Sequence, residues 1–238
     1  LAAFGLKTWL ADQPDVQPLD QWVAEHRTDF QEDGGIVFGI VSDIEGHLDN
    51  ARAAARAFEN YALDAILVAG DTYENEALRR NPLFPESHDN VQELVAGLRP
   101  FAALNVPIFV VQGNHEETAV FQEGLQELQS VNAAVFDISA ATLDFSGVNM
   151  VGLGGYHDWR FLPRSGRLLL EEDYARAAAS LRSLQEQDEP TFFITHGPPR
   201  ATSPIDYVPG IGHVGDENLT SILSSNLRNL VHLHGHIH

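Results

Sequence analysis

IVFGIVSDIEGH, residues 36–47, joins a short apolar run rich in Ile and Val to a tip carrying Asp43, Glu45 and His47. A β-branched run of this length, bounded by Gly34-Gly35 on one side and polar residues on the other, reads as a buried strand rather than a helix. The same grammar recurs along the chain. AILVA (65–69) is followed by Gly70-Asp71, and IFVV (108–111) is followed, after Gln112, by Gly113-Asn114-His115-Glu116. TFFIT (191–195) leads into His196-Gly197-Pro198-Pro199, and LVHL (230–233) into His234-Gly235-His236-Ile237-His238. Between the runs lie segments of helical period: Leu48, Ala51, Ala55, Phe58 and Ala62 share one face, as do Tyr174, Ala178, Leu181 and Leu184. Strand-length runs alternating with such helices predict an α/β sheet covered by helices. A middle stretch, with AAVF (133–136), ATLDF (141–145) and VNMVGLGG (148–155), has no long helix between its runs and predicts a hairpin or a second sheet.

The chain has 238 residues, 44% of them hydrophobic, enough for one domain with a substantial core. Residues 35–238 carry the strand rhythm. Residues 1–34 differ in texture, with Pro14, Pro18 and a hinge-like Gly34-Gly35, and are expected to be an extension packing on that domain. No window offers the roughly 18 to 20 apolar residues that a membrane span requires, and no signal peptide is visible, so the expectation is a cytoplasmic protein without a membrane partner. Because the first residue is Leu1 and not Met, removal of a leader or a further domain stays open. The absence of cysteine excludes disulfides, thiolate metal sites and cysteine nucleophiles. A formal charge of -20 argues against duplex nucleic acid, whose affinity comes from cationic contacts to phosphate. It leaves a small phosphate ester open as substrate.

Each of the five runs ends in Asp, Asn or His, and open α/β sheets place ligands outside the carboxyl ends of their strands. The five tips should therefore converge although they are scattered in sequence. Carboxylate, carboxamide and imidazole donors without sulfur suit Mn, Fe or Zn, and an Asp can bridge two ions through its two oxygens. A pair of ions about 3.5 to 4 Å apart can clamp a phosphoryl group and activate water near neutral pH. Gly70, Gly113 and Gly235 would let the backbone turn beside the ligands. The competing readings are plainer. Asp43 and Asp71 could cap the helices that follow them. His232 and His234, in or at the end of a buried strand, read as core or supporting histidines more readily than as ligands. The arginines of the long loops 72–89, 156–170 and 197–215 read mainly as solvated surface, while Tyr156 and His157 are the residues expected to face substrate.

The ordered set Asp43, Gly70-Asp71, Gly113-Asn114-His115-Glu116, His196 and Gly235-His236-Ile237-His238 resembles the calcineurin-like metallophosphoesterase superfamily, from about Ile36 to the last residue. The stretch THGPPRATSPIDYVPGIGHVG is similar to the smaller bacterial and archaeal phosphoesterases of this kind, whereas GDTYEN departs from the GDxVDRG segment of protein serine/threonine phosphatases. The resemblance implies a four-layer α/β/β/α sandwich and a hydrolase that cleaves phosphate monoesters or diesters through a dinuclear metal centre and a metal-bridging hydroxide. It implies that Asp43, Asp71 and His238 hold one ion, that Asp71 bridges to a second held by Asn114, His196 and His236, and that His115 contacts the phosphate and protonates the leaving oxygen. Where the family has D-x-H this chain has Glu45, which ranks ahead of His47 as the remaining ligand and shifts the two-cation preference toward Mn or Fe over Zn. Glu116 matches the family wording but is assigned no ligand role. The family pattern continues past GHxH, so the last C-terminal strands are expected to be missing here, leaving an exposed sheet edge. Two other classes remain alongside the enzyme: a non-catalytic metal-binding scaffold or an interaction protein keeping the same fold.

Overall fold

The computed structural model describes residues 35–74, 88–131, 133–163, 165–186, 189–201, 204–225 and 227–237. The N-terminal extension and His238 thus lie outside the described residues, as does most of the loop expected over 72–89.

Strands β1 (Phe38–Val41), β2 (Ala65–Val68), β3 (Ile108–Val110) and β4 (Val135–Asp137) form one fully parallel sheet in that order. The hairpin β5 (Thr142–Phe145) and β6 (Val148–Leu153) begins a second sheet, to which β7 (Thr191–Thr195) adds in parallel. The loop after β7 carries a short antiparallel pair, β8 (Tyr207–Val208) and β9 (Gly212–His213), before β10 (Leu230–Leu233) returns beside β7. The second sheet therefore runs β10-β7-β6-β5. The chain around 133–136, grouped with the middle stretch in the sequence reading, belongs instead to the first sheet, because the helix preceding it makes a crossover that delivers β4 parallel to β3.

Helices α1 (Leu48–Phe58), α2 (His88–Ala102) and α3 (Thr118–Ser130) follow β1, β2 and β3 and cover the first sheet. Helices α4 (Glu171–Leu184) and α5 (Glu217–Leu223) cover the second. Alternation along the strands sorts the side chains into layers. Ile66, Val68, Ile108 and Val110 point outward onto Leu94, Leu98, Phe121 and Leu125 of the helices. Their neighbours Ala65, Leu67, Phe109 and Val111 point inward and meet Leu143, Phe145, Met150 and Ile194 between the sheets. Val151, Leu153 and Phe193 face out of the second sheet onto Tyr174, Leu181 and Leu219. This is the expected α/β/β/α order. On α4 Ala177 is buried alongside Tyr174, Leu181 and Leu184 while Ala178 is only partly covered, a small rotation of the expected stripe, and α1 ends before Ala62.

With the central strands β2, β3 and β7 buried on both faces, the polar groups that the sequence places beyond the strand ends gather at the edge where the carboxyl ends of β1, β2, β3, β7 and β10 meet. Backbone bonds knit that edge: Asp43 N–H donates to Gly70 O at 3.1 Å, Glu45 N–H to Asp71 O at 3.0 Å and Gly235 N–H to His196 O at 3.0 Å.

Candidate metal centre

At this edge two clusters of potential ligand atoms form, one of Asp71, His196 and His236 and one of Glu45, Asp71 and His115. Asp71 belongs to both. Its carboxylate lies 3.2 Å from His196 Nε2 and 3.9 Å from His115 Nδ1, and accepts the His115 backbone N–H at 2.9 Å. Glu45 Oε1 stands 3.9 Å from the same His115 nitrogen. Asn114 Oδ1 is 2.7 Å from His196 Nε2, and His236 Nδ1 is 3.2 Å from it. Side chains from several strand tips, remote in sequence, therefore converge within a few ångströms.

The orientation of each donor has a local cause. His196 Nδ1 lies 2.9 Å from the carbonyl of Ala69, which fixes a proton on that nitrogen and turns Nε2 toward the cluster. The Asn114 amide nitrogen donates to Phe161 O at 3.1 Å, so its carbonyl oxygen is the atom left facing His196. Asp43, Glu45, Asp71 and His236 all have positive φ, at 53°, 45°, 52° and 76°. Non-glycine residues held in the left-handed region cost about 1 to 3 kcal/mol each and persist where the surroundings over-determine them. Gly113 and Gly235 permit the close approach: a Cβ on Gly113 would come within 2.1 Å of Asp71 Oδ1, and one on Gly235 within 2.3 Å of Asp43 Oδ2.

Electrostatics divide the cluster. Burial alone would raise the Asp71 pKa, but His196 and His115 hold it well below the ordinary carboxylate range. Burial alone would lower His196, yet the Asp71 carboxylate drives it up to about 9. Both ring nitrogens of His196 have oxygen acceptors, as an imidazolium requires. His236, half-buried with its ring largely desolvated and beside that cation, is pushed down to about 3 and stays neutral. A divalent cation would take over the role of the His196 proton, since ligation requires the neutral imidazole. The all-oxygen-and-nitrogen donor set, the shared carboxylate and the glycine cradle around it fit such an ion.

The remaining sequence candidates are distributed around this core. The Asp43 carboxylate, outside both clusters, accepts the His236 backbone N–H at 2.9 and 3.0 Å and the Ser42 hydroxyl. His47 is exposed at the N-cap of α1. Tyr156 is buried and donates its hydroxyl to Val214 O at 3.1 Å; its ring packs 4.4 Å from that of His236, making it a wall of the cluster more than an open contact surface. His157, half-buried, lies against Tyr156 at 4.6 Å on the outer side. His232 is bonded to Thr195 Oγ1 at 2.9 Å within the strand layer. Arg79, Arg80 and Arg164 lie outside the described residues.

Sequence reasoning passed over the part played by Glu116. Fully buried, its carboxylate accepts from Asp71 N at 3.2 Å, Thr72 N at 2.5 Å, Thr72 Oγ1 at 2.8 Å and Gly113 N at 2.6 Å, clamping the β2 and β3 tips together. Burial and the charge of Asp71 push its pKa up to about 7. Its signals in the sequence are its adjacency to His115 and its match to the family wording.

The calcineurin-like phosphoesterase family model matches residues 36–238. No curated protein matches the chain significantly. Among solved structures, a dimetal phosphatase from Danio rerio is similar with a TM-score of 0.58 at 16% identity, covering 85% of this chain and 82% of that one. A Thermus thermophilus protein is similar with a TM-score of 0.54 at 15% identity, covering 79% of this chain and 76% of that one. A putative 5'-nucleotidase from Staphylococcus aureus gives a TM-score of 0.54 at 13% identity, covering 84% of this chain and 45% of that one. At these identities the likenesses speak for the fold, and the match over residues 36–238 carries the assignment: this chain belongs to the calcineurin-like phosphoesterase family.

Proposed function

We propose that this protein hydrolyses phosphate monoesters or diesters at a dinuclear centre, with Mn or Fe favoured over Zn. Asp43, Glu45, Asp71 and His238 would hold one cation, and Asp71, Asn114, His196 and His236 the other. The observation that carries this reading is the presence of the Asp71 carboxylate in both ligand clusters, as a bridging group requires. Cations held there would supply Lewis-acid activation of the phosphoryl group and of water. The chain's own residues do the rest. Glu45 in place of an imidazole adds oxygen and negative charge to the cluster it shares with Asp71 and His115, which is the basis for the metal preference. The Ala69 carbonyl and the Phe161 carbonyl keep His196 and Asn114 aimed inward without reorganisation. His115, half-buried above Asp71 and tied to it through its backbone N–H, is positioned to donate a proton to the departing oxygen.

The test is removal and return of metal. Protein treated with a chelator should lose activity on a chromogenic phosphodiester and monoester and regain it with Mn; inactivity with every divalent metal would refute the reading. His115→Ala should keep its metal content while losing about 10²- to 10⁴-fold in turnover.

A further inference from the structure

Beside the cluster lies a cleft of about 380 Å³, formed by the loop after β6, the start of α4, the loop after β7 and the start of α5. Its volume falls within the range of small-molecule sites. It shares a wall with the candidate metal centre, since His157 lines the cleft and packs on Tyr156, whose ring also packs on His236. An ester with its phosphorus at the ligand cluster would pass the rim at His157 to place its organic remainder in this cleft.

The chemistry of the lining restricts that remainder. Glu171, Asp216 and Glu217 stand against a single guanidinium, Arg200, so a second phosphate would meet a net negative wall. Asp216 is already engaged, accepting the Tyr174 hydroxyl and the Asn218 backbone N–H, the latter at 2.8 Å, and acts as buried framework. Arg200 is partly engaged through a bond to His213 O at 2.7 Å. Glu171, Glu217 and Asn218 stand on exposed positions at the cleft, offering carboxylate and amide acceptors together with an amide donor. Leu169 and Tyr174 contribute a buried apolar surface to the same cleft. Hydroxyl-accepting carboxylates over an apolar floor suit a ligand with a polar edge and a C–H face.

Resting on the phosphoesterase reading above, we propose that this cleft is the specificity pocket and that it takes a neutral, polyhydroxylated group such as a sugar ring esterified to the scissile phosphate. Two measurements on the full metal-loaded chain test it. In the first, kcat/KM for glucose 6-phosphate and for fructose 1,6-bisphosphate are each expressed relative to p-nitrophenyl phosphate in the same protein, so that any general loss of activity cancels. The monophosphate should exceed the bisphosphate by tenfold or more, and the Glu171→Lys/Glu217→Lys double variant should shrink that gap about tenfold. In the second, methyl glucoside binding is followed by ligand-observed NMR, and the signal should weaken in the same variant and in Leu169→Trp, which narrows the cleft. A preference for the bisphosphate or for phosphoethanolamine, a ratio indifferent to charge reversal, or hydrolysis of p-nitrophenyl phosphate with no glucoside binding would overturn the pocket assignment alone. Glucoside binding without hydrolysis of any ester would uphold the pocket and overturn the catalytic reading.

Discussion

The tips of β2 and β3 and the loops flanking the second sheet border the same site but differ in how much of their surface is exposed. Around Asp71 and Glu116 the side chains are buried, backbone donors converge on one carboxylate, and non-glycine residues are held at positive φ. The loops after β6 and β7 instead expose Trp159, Tyr207 and Ile211 around a buried anchor in the second loop, Asp206, which accepts from Ala201 N, Gly215 N and His213 Nδ1. On the phosphoesterase reading, chemistry that depends on close placement would sit on the buried, rigid side, and discrimination between substrates would fall to the exposed, adaptable side. Substitutions should divide the same way.

The largest effect is expected from Asp71→Ala. Removing the group common to both clusters should reduce activity on the order of 10³-fold or more and reduce bound metal, measured by elemental analysis. Next comes Glu116→Ala, which strands the N–H groups of Asp71, Thr72 and Gly113 in the interior at about 1 to 3 kcal/mol for each unsatisfied donor. Denaturant titration should show the loss of stability, and metal affinity should fall by about 10- to 100-fold. Glu116→Gln, keeping an acceptor, should fall between this variant and wild type.

A pH-dependent contrast is smaller. Burial lowers His232 from its ordinary value to about 3, while the unfolded chain takes up that proton near pH 6.5. The unfolded state therefore binds more protons between those values, and this histidine should cost the fold stability progressively as pH falls from about 6.5 toward 3. His232→Gln, able to keep a donor toward Thr195, should flatten the acid limb of a stability–pH profile and change little above about pH 7. The smallest effect is expected on the adaptable side. Trp159→Ala, at a side chain 73% exposed, should alter unfolding free energy by no more than about 0.5 kcal/mol.

The unequal legibility of these regions in the sequence has physical causes. The five apolar runs and their tips were readable because a buried strand must be apolar and a polar residue at its end must project from the sheet edge, so Asp71, His196 and His236 could be expected to meet. The placement of β4 was not, since a parallel crossover depends on how α3 packs and not on the composition of 133–136. The direction of the Asp43 side chain was equally hidden: besides the adjacent Ser42 hydroxyl it accepts a backbone N–H 193 residues away, and backbone donors leave no mark in a sequence. The same reason concealed Glu116, three of whose four donors are main-chain groups. The extension over 1–34 and His238 lie outside the described residues, and the ligand role of His238 belongs to the proposal.

The shared position of Asp71 is tested most directly by counting metal. Full-length protein loaded with Mn and freed of excess should carry two equivalents per chain by elemental analysis, with Asp71→Asn retaining at most one; a wild-type chain that binds none, or an Asp71→Asn variant that keeps both, would contradict the account.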